Sequence, residues 1–356
     1  MTSFRIFKQV SRLLFGEGAL GRASELLPVK ETSDDYYVFV IDDVHRTGSL
    51  KDQLNSDSHD LLEWFPASAK EPSTIQVDTL RDKVVEMRGG RLPKAIIGIG
   101  GGSTMDVAKA LSVMLCNKGS SAQYQGWDLV PNPGVYKIGV PTVAGSGAEA
   151  SRTAVLMGKD RKFGINSDYS MFDAIILDSA LVASVPTEQR FHSGMDCYIH
   201  CVESLQGTMI NELSRGYASK ALELCEKAFL EKGNNDMLMT ASYLGGVSIV
   251  NSEVGICHAL SYGLSMELGY RHGFANCVAF NVLDEYYGSS VNKFRSMLDI
   301  HKINLPRNAC SNLDDAAMAR MVEMTLRMER PLTNALGENW RTLLTREHIL
   351  DLYRSM

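Results

Sequence analysis

The chain changes texture once, near Pro186. Before that point short apolar runs alternate with helix-like stretches. After it only helical patterns remain. Alternation of the first kind builds a parallel sheet covered by helices, and long helical patterns in series build a helical domain. Four runs read as buried parallel strands: Tyr36–Ile41, Ala95–Ile99, Lys137–Val140 and Ala174–Asp178. Helix-like stretches lie around Ser49–Asn55, over Pro72–Met87 with Ile75, Leu80, Val84 and Met87 along one side, and over Thr104–Leu115. Ser214–Glu231, Asn235–Val250 and Cys257–Leu268 carry apolar residues at helical spacing, and no strand is expected after about residue 185. At 356 residues, two domains are expected. Residues 1–184 form an α/β domain with a parallel sheet suited to a dinucleotide, and residues 185–356 an all-α domain.

Composition excludes several classes. The net charge is −6, and no basic stripe of the kind that binds nucleic acid is present. The longest apolar runs are too short to span a bilayer. Met1–Lys8 lacks the apolar core of a secretory signal, so a cytoplasmic protein is expected. Seven cysteines, an odd number without a CxxC pair, argue against a disulfide framework. Cys197 and Cys201 each follow a candidate metal ligand by one position. On a helix that turns them about 100° away, which favours buried packing over ligation.

Gly98-Ile99-Gly100-Gly101-Gly102-Ser103 follows a strand-like run and opens a helix. Glycines let backbone N–H groups approach an anion, and a helix N-terminus adds partial positive charge, so pyrophosphate suits this turn. G-x-G-x-x-G is not met, because Ser103 stands in the last glycine's place. A purely structural turn remains the other reading. Pro141-Thr142-Val143-Ala144-Gly145-Ser146-Gly147 is a second small turn beyond a strand end, where open α/β sheets bind ligands. Asp42, at the end of an earlier strand, can accept from a ribose 2′-hydroxyl and repel a 2′-phosphate, favouring NAD over NADP. It can also simply cap a turn.

Asp196 and His200 are spaced i, i+4, one turn apart on one helical face. His192 and Glu203 share that stripe. With His258 and His272, Asp196 and His200 offer one hard carboxylate oxygen and three imidazole nitrogens, a set suited to Fe(II) or Zn(II). Spacing alone leaves two readings: one metal site, or hydrogen-bonded core histidines.

Gly194-x-Asp196-x3-His200-x2-Glu203, Gly255-x2-His258-x3-Tyr262-Gly263 and Arg271-His272-Gly273 resemble the iron-containing (group III) alcohol dehydrogenase family. Gly100-Gly101-Gly102-Ser103-x2-Asp106-x2-Lys109, Pro141-Thr142-x-Ala144-Gly145-Ser146-Gly147-x-Glu149 and Phe15-Gly16-Glu17-Gly18-Ala19-Leu20 look like the same family's nucleotide motifs. The match runs in order from about residue 14 to residue 285.

The resemblance implies a dehydroquinate synthase-like fold and a metal-dependent alcohol oxidoreductase that passes hydride from a primary alcohol to NAD(P). It implies Asp196, His200, His258 and His272 as metal ligands. Gly101, Gly102 and Ser103 would bind pyrophosphate, Thr142, Ser146 and Lys162 would contact the nucleotide, and Asp42 would select NAD. A small alcohol or sugar acid as substrate and a homodimer are expected. Two positions depart from the family. Tyr262 stands where a second histidine, thought to help proton transfer, is usual; His192 stands where a small residue is common. Both are candidate catalytic residues, His192 as a replacement imidazole. Dehydroquinate synthase and glycerol-1-phosphate dehydrogenase share the architecture, but their phosphorylated substrates call for basic residues around the metal, and here only Arg271 adjoins a ligand. A scaffold with a lost metal site is the non-enzymatic alternative, disfavoured by four intact ligands.

Overall fold

A computed structural model of the protein describes residues 7–54, 56–66, 71–159 and 162–356. The chain forms two compact units, one of residues 1–143 and 148–184, the other of 144–147 and 185–356.

The first unit contains the strands β1 (Arg12–Phe15), β2 (Tyr37–Asp42), β3 (Leu61–Phe65), β4 (Ala95–Gly100), β5 (Gly126–Trp127), β6 (Lys137–Pro141), β7 (Thr153–Met157), β8 (Lys162–Asn166) and β9 (Ala174–Leu177). Six form a wholly parallel sheet in the order β1-β9-β6-β4-β2-β3. Every residue of β2, β4, β6 and β9 is buried, as continuous apolar runs require of central strands. One face of this sheet packs Leu20, Phe39, Ile97, Ile138 and Ile176 into a single core. β5, β8 and β7 form a separate small sheet.

Among its described residues this unit has three α-helices: α1 (Leu50–Gln53), α2 (Thr74–Met87) and α3 (Gly102–Met114). α1 is shorter than the expected Ser49–Asn55, and Asn55 lies outside the described residues. α2 opens with a capping box, Ser73 accepting from Gln76 N and Gln76 accepting from Ser73 N. Its buried side is Val77, Leu80 and Val84; Ile75 is 75% exposed and Met87 54% exposed, which corrects their expected place on that side. Leu80 and Val84 follow Val77 by three and seven residues, one helical face, from which Ile75 is turned away.

The connection after β2 leads to β3 on one side, and the connection after β4 leads to β6 on the other. The sheet therefore has its topological switch point between β2 and β4. A ligand crevice is expected outside their carboxyl ends, at Asp42 and Gly100.

The glycines near the start serve a different end. Gly16 and Gly18 have φ of 141° and 79°, conformations that favour glycine. They turn the chain so that Gly18 N and Leu20 N donate to Asp178 at 2.9 and 3.0 Å, tying the segment after β1 to the end of β9.

The second unit is helical, and among the described residues no strand follows Leu177. It holds α4 (Thr187–Gln206), α5 (Glu212–Leu230), α6 (Asn235–Ser252), α7 (Ile256–Leu268) and α8 (His272–Phe280), followed by further helices up to Ser355. Among the described residues no helix is long and apolar enough to cross a membrane.

Candidate metal centre

α4 is buried almost without interruption from Phe191 to Ser204, so its polar side chains must find partners within the protein. Asp196 and His200 leave it one turn apart. His258 sits in the first turn of α7, and His272 opens α8. One ligand atom from each of these four residues lies within 4.8 Å of the others. Asp196 Oδ1 is 3.6 Å from His200 Nε2, 3.3 Å from His258 Nε2 and 3.7 Å from His272 Nε2. The rings of His200 and His258 stack 4.6 Å apart.

Glu203 organises this cluster. Its carboxylate accepts from Gly255 N at 2.8 Å, Cys257 N at 2.7 Å and the Tyr287 hydroxyl at 2.8 Å. Its Oε2 also lies 2.5 Å from His258 Nδ1. By accepting from the two backbone N–H groups, Glu203 caps the start of α7 from another helix. The contact with His258 holds a proton on Nδ1 and leaves Nε2 to face the cluster. Nothing in the motif spacing revealed this role, although Glu203 shares the stripe of Asp196 and His200.

The electrostatics agree. Burial alone would push the Asp196 carboxyl up, yet His200, His272 and His258 hold it well below the usual range. Burial opposes charge on His258, but Glu203 and Asp196 outweigh it and push His258 up to about 9. His200 is lowered by burial. A negative oxygen and imidazole nitrogens converge where a proton is strongly held, and a divalent cation suits the same place. The donor set therefore fits the Fe(II) or Zn(II) expected from the sequence.

Asn276, which the sequence reading passed over, joins the cluster from α8. Its Nδ2 donates to Asp196 Oδ1 at 2.7 Å. The cysteines take no part in the four-residue group. Cys225 Sγ lies 3.4 Å from Cys197 Sγ, and both Cys197 and Cys201 pack beside Gly245. Tyr262, one turn beyond His258, meets the His272 ring edge-on with centroids 6.0 Å apart. The His192 ring packs against Phe274 at 5.0 Å and Phe191 at 6.1 Å. Its Nε2 is buried without a partner among the described residues, and burial lowers its pKa. Gly273 passes so close to the His192 carbonyl that a Cβ there would lie 2.7 Å from the oxygen.

The first unit carries the other candidates. A Cβ on Gly100 would lie 2.6 Å from Thr104 Oγ1 and 2.9 Å from Asp42 Cβ, so the switch-point crevice needs glycine there. α3 starts from Gly101, which has no side chain to cap the first turn, and Gly102 and Ser103 form that turn. Asp42 accepts from Val44 N at 3.3 Å, so it caps a turn as well as standing at the crevice. Thr142 N donates to Gly100 O, and Thr142 Oγ1 bonds His45 Nε2 at 3.0 Å, a partner the sequence reading missed. Lys162 Nζ pairs with Glu71 at 3.1 Å, its side chain 6% exposed. Asp160 and Arg161 of its motif lie outside the described residues.

Ser146 belongs to the segment that groups with the helical unit. The glycines beside it are set by packing. A Cβ on Gly145 would lie 1.8 Å from Ser193 O, and one on Gly147 2.4 Å from Gly246 Cα. Gly145 N also donates to Ser242 Oγ at 2.8 Å.

Known proteins match this chain along most of its length. Residues 11–179 match the family model described as iron-containing alcohol dehydrogenase, and residues 190–335 the one described as Fe-containing alcohol dehydrogenase family, C-terminal. Sulfoacetaldehyde reductase of Bilophila wadsworthia (strain 3_1_6) is 31% identical over 269 residues, 72% of this chain and 68% of that relative. Long-chain-alcohol dehydrogenase 1 of Geobacillus thermodenitrificans (strain NG80-2) is 31% identical over 208 residues, 56% of this chain and 53% of that relative. The crystal structure of sulfoacetaldehyde reductase from Bifidobacterium kashiwanohense in complex with NAD+ superposes with a TM-score of 0.80 at 20% identity, covering 99% of this chain and 98% of that one. The chain belongs to the iron-containing alcohol dehydrogenase family of oxidoreductases.

Proposed function

We propose that this enzyme oxidises the primary C8 hydroxyl of 3-deoxy-D-manno-octulosonate to an aldehyde, with NAD as hydride acceptor, for amino-sugar lipopolysaccharide synthesis. The observation that carries the oxidoreductase reading is the convergence of Asp196, His200, His258 and His272, with Glu203 fixing the His258 tautomer. The choice of a sugar acid rests on the resemblance of the whole chain to enzymes of that branch. It is supported by Tyr262, which departs from the mainstream alcohol dehydrogenases. A sulfonated aldehyde in the name of one relative is a further precedent for a small anionic substrate.

A bound Fe(II) or Zn(II) supplies Lewis acidity at the substrate hydroxyl. The protein supplies the rest. Gly101, Gly102 and Ser103 at the start of α3 receive the pyrophosphate, and Thr142, Ser146 and Lys162 hold the nucleotide. Asp42 accepts from the ribose hydroxyl. Oxidation sends a hydride to C4 of the nicotinamide and releases one proton from the substrate hydroxyl. Tyr262, beside His272, is assigned to pass that proton on, and His192 to receive it. A homodimer accords with β1, an edge strand with Leu13 42% and Phe15 51% exposed. The cytoplasm is the compartment this reading implies.

The test is NADH absorbance after loading with Fe(II) or Zn(II), offering 3-deoxy-D-manno-octulosonate beside simple primary alcohols and diols. An oxygen electrode alongside separates NAD from O2 as acceptor. Turnover of the sugar acid above the others is expected. Turnover of simple alcohols alone would remove the sugar-acid assignment, and no turnover of any of them would remove the whole reading.

Asp42→Ala is expected to weaken NAD about tenfold or more and to strengthen NADP, because a hydrogen bond to a charged group is lost for NAD and the repulsion of a 2′-phosphate is lifted for NADP. Steady-state KM values for both cofactors check this. An unchanged ratio would confine Asp42 to its turn-capping role.

A further inference from the structure

Asn276 is fully buried, 0% exposed, on α8. It follows His272 by four residues, so both side chains leave one face of the helix. Its Nδ2 donates to Asp196 Oδ1 at 2.7 Å and lies 3.1 Å from His258 Nε2 and 3.3 Å from His272 Nε2. Its Oδ1 is buried without a partner among the described residues.

Which end of the amide faces the cluster follows from the acceptors around it. Asp196 Oδ1 is a carboxylate oxygen 2.7 Å away. Only the donor end suits it; the amide oxygen would face a second oxygen acceptor at hydrogen-bond distance.

Stability alone does not account for the residue. A buried amide oxygen without a partner is costly, and leucine, close in shape, would fill the place without that cost. The contacts to three of the four candidate ligands account for it.

We propose that Asn276 is a positioning residue of the metal centre. Its N–H holds Asp196 Oδ1 in register with the three imidazoles. A carboxylate oxygen has lone pairs enough to accept this hydrogen bond and face a cation together. Asn276 thus raises the affinity of the site without contributing a ligand. The inference rests on the four-ligand reading above.

The test is chelator competition on the full-length protein loaded with Zn(II) or Co(II), comparing wild type with Asn276→Ala and Asn276→Leu. Thermal unfolding is followed in parallel with the metal removed. Both variants are expected to bind the metal about 10–100-fold more weakly. Asn276→Leu keeps the volume of the side chain and is expected to stay folded and to unfold cooperatively. Its melting curve separates weaker metal binding from a damaged fold, and it stands as the test if the alanine variant does not fold. Wild-type affinity in Asn276→Leu would overturn the proposal, since filling space would then suffice. Failure of the wild type itself to bind metal would overturn the four-ligand reading instead, and this proposal with it.

Discussion

His258→Ala is expected to lose its bound metal and to lower alcohol oxidation about a thousandfold or more, while the protein stays folded. Lewis acidity at the reacting oxygen is worth several kcal/mol, and each 1.36 kcal/mol is about tenfold in rate. His258 is buried at the centre of the cluster, between Glu203 and Asp196. Without its ring, Glu203 still accepts from Gly255 N, Cys257 N and the Tyr287 hydroxyl, so α7 keeps its start. Metal analysis, NADH formation and circular dichroism check the three parts. Full activity in this variant would count decisively against His258 as a ligand. The same residue sets a pH dependence. With its pKa raised to about 9, His258 holds a proton below that pH, and a cation must displace it. Metal affinity should therefore rise with pH up to about 9.

Glu203→Ala is expected to be worse for the fold. It removes the common acceptor of two backbone N–H groups, the Tyr287 hydroxyl and the His258 ring. Breaking a buried charged pair by removing one partner costs about 3–5 kcal/mol. Loss of a carboxylate that orients a metal-binding histidine typically costs about 10–100-fold in metal affinity. Urea unfolding of the metal-free protein measures the first effect, and chelator competition the second. Glu203→Gln keeps the volume but turns one acceptor into a donor facing other donors, so much of both losses should remain. A variant with wild-type stability and metal affinity would show that the tautomer of His258 is held by other means.

The central strands were legible because each is buried on both faces. Tyr37–Asp42, Ala95–Gly100, Lys137–Pro141 and Ala174–Leu177 hold charged residues only at their ends, Asp42 and Lys137, so their interiors read as apolar runs. The edge strands were not. Arg12–Phe15 is mostly exposed, and Leu61–Phe65 holds a glutamate and is buried at only its last residue. Neither makes a run. Thr153–Met157 did show its alternation, with Ala154 and Leu156 inside, but five residues of it were too few to stand out.

Within the metal centre, Asp196 and His200 were legible as a pair because helical spacing fixes their common face. Their meeting with His258 and His272 was not, since α4, α7 and α8 come together only by tertiary packing. Family resemblance supplied that step. Glu203 lay in plain view on the same stripe, but its partners are 52 to 84 residues away in sequence. Asn276 offered a local signal, one turn after His272, and it went unread. In the second glycine turn, sequence showed that glycine was wanted and not why. Gly145 and Gly147 are demanded by Ser193 and Gly246, a steric need that no nucleotide has to explain.

The most direct test of the central claim strips the protein of metal and titrates Fe(II) or Zn(II) back, counting bound ions against NADH formed from the alcohol. The expected result is one ion per chain held by Asp196, His200, His258 and His272, with activity rising in proportion to occupancy and absent at zero. Undiminished oxidation by the metal-free protein would contradict it.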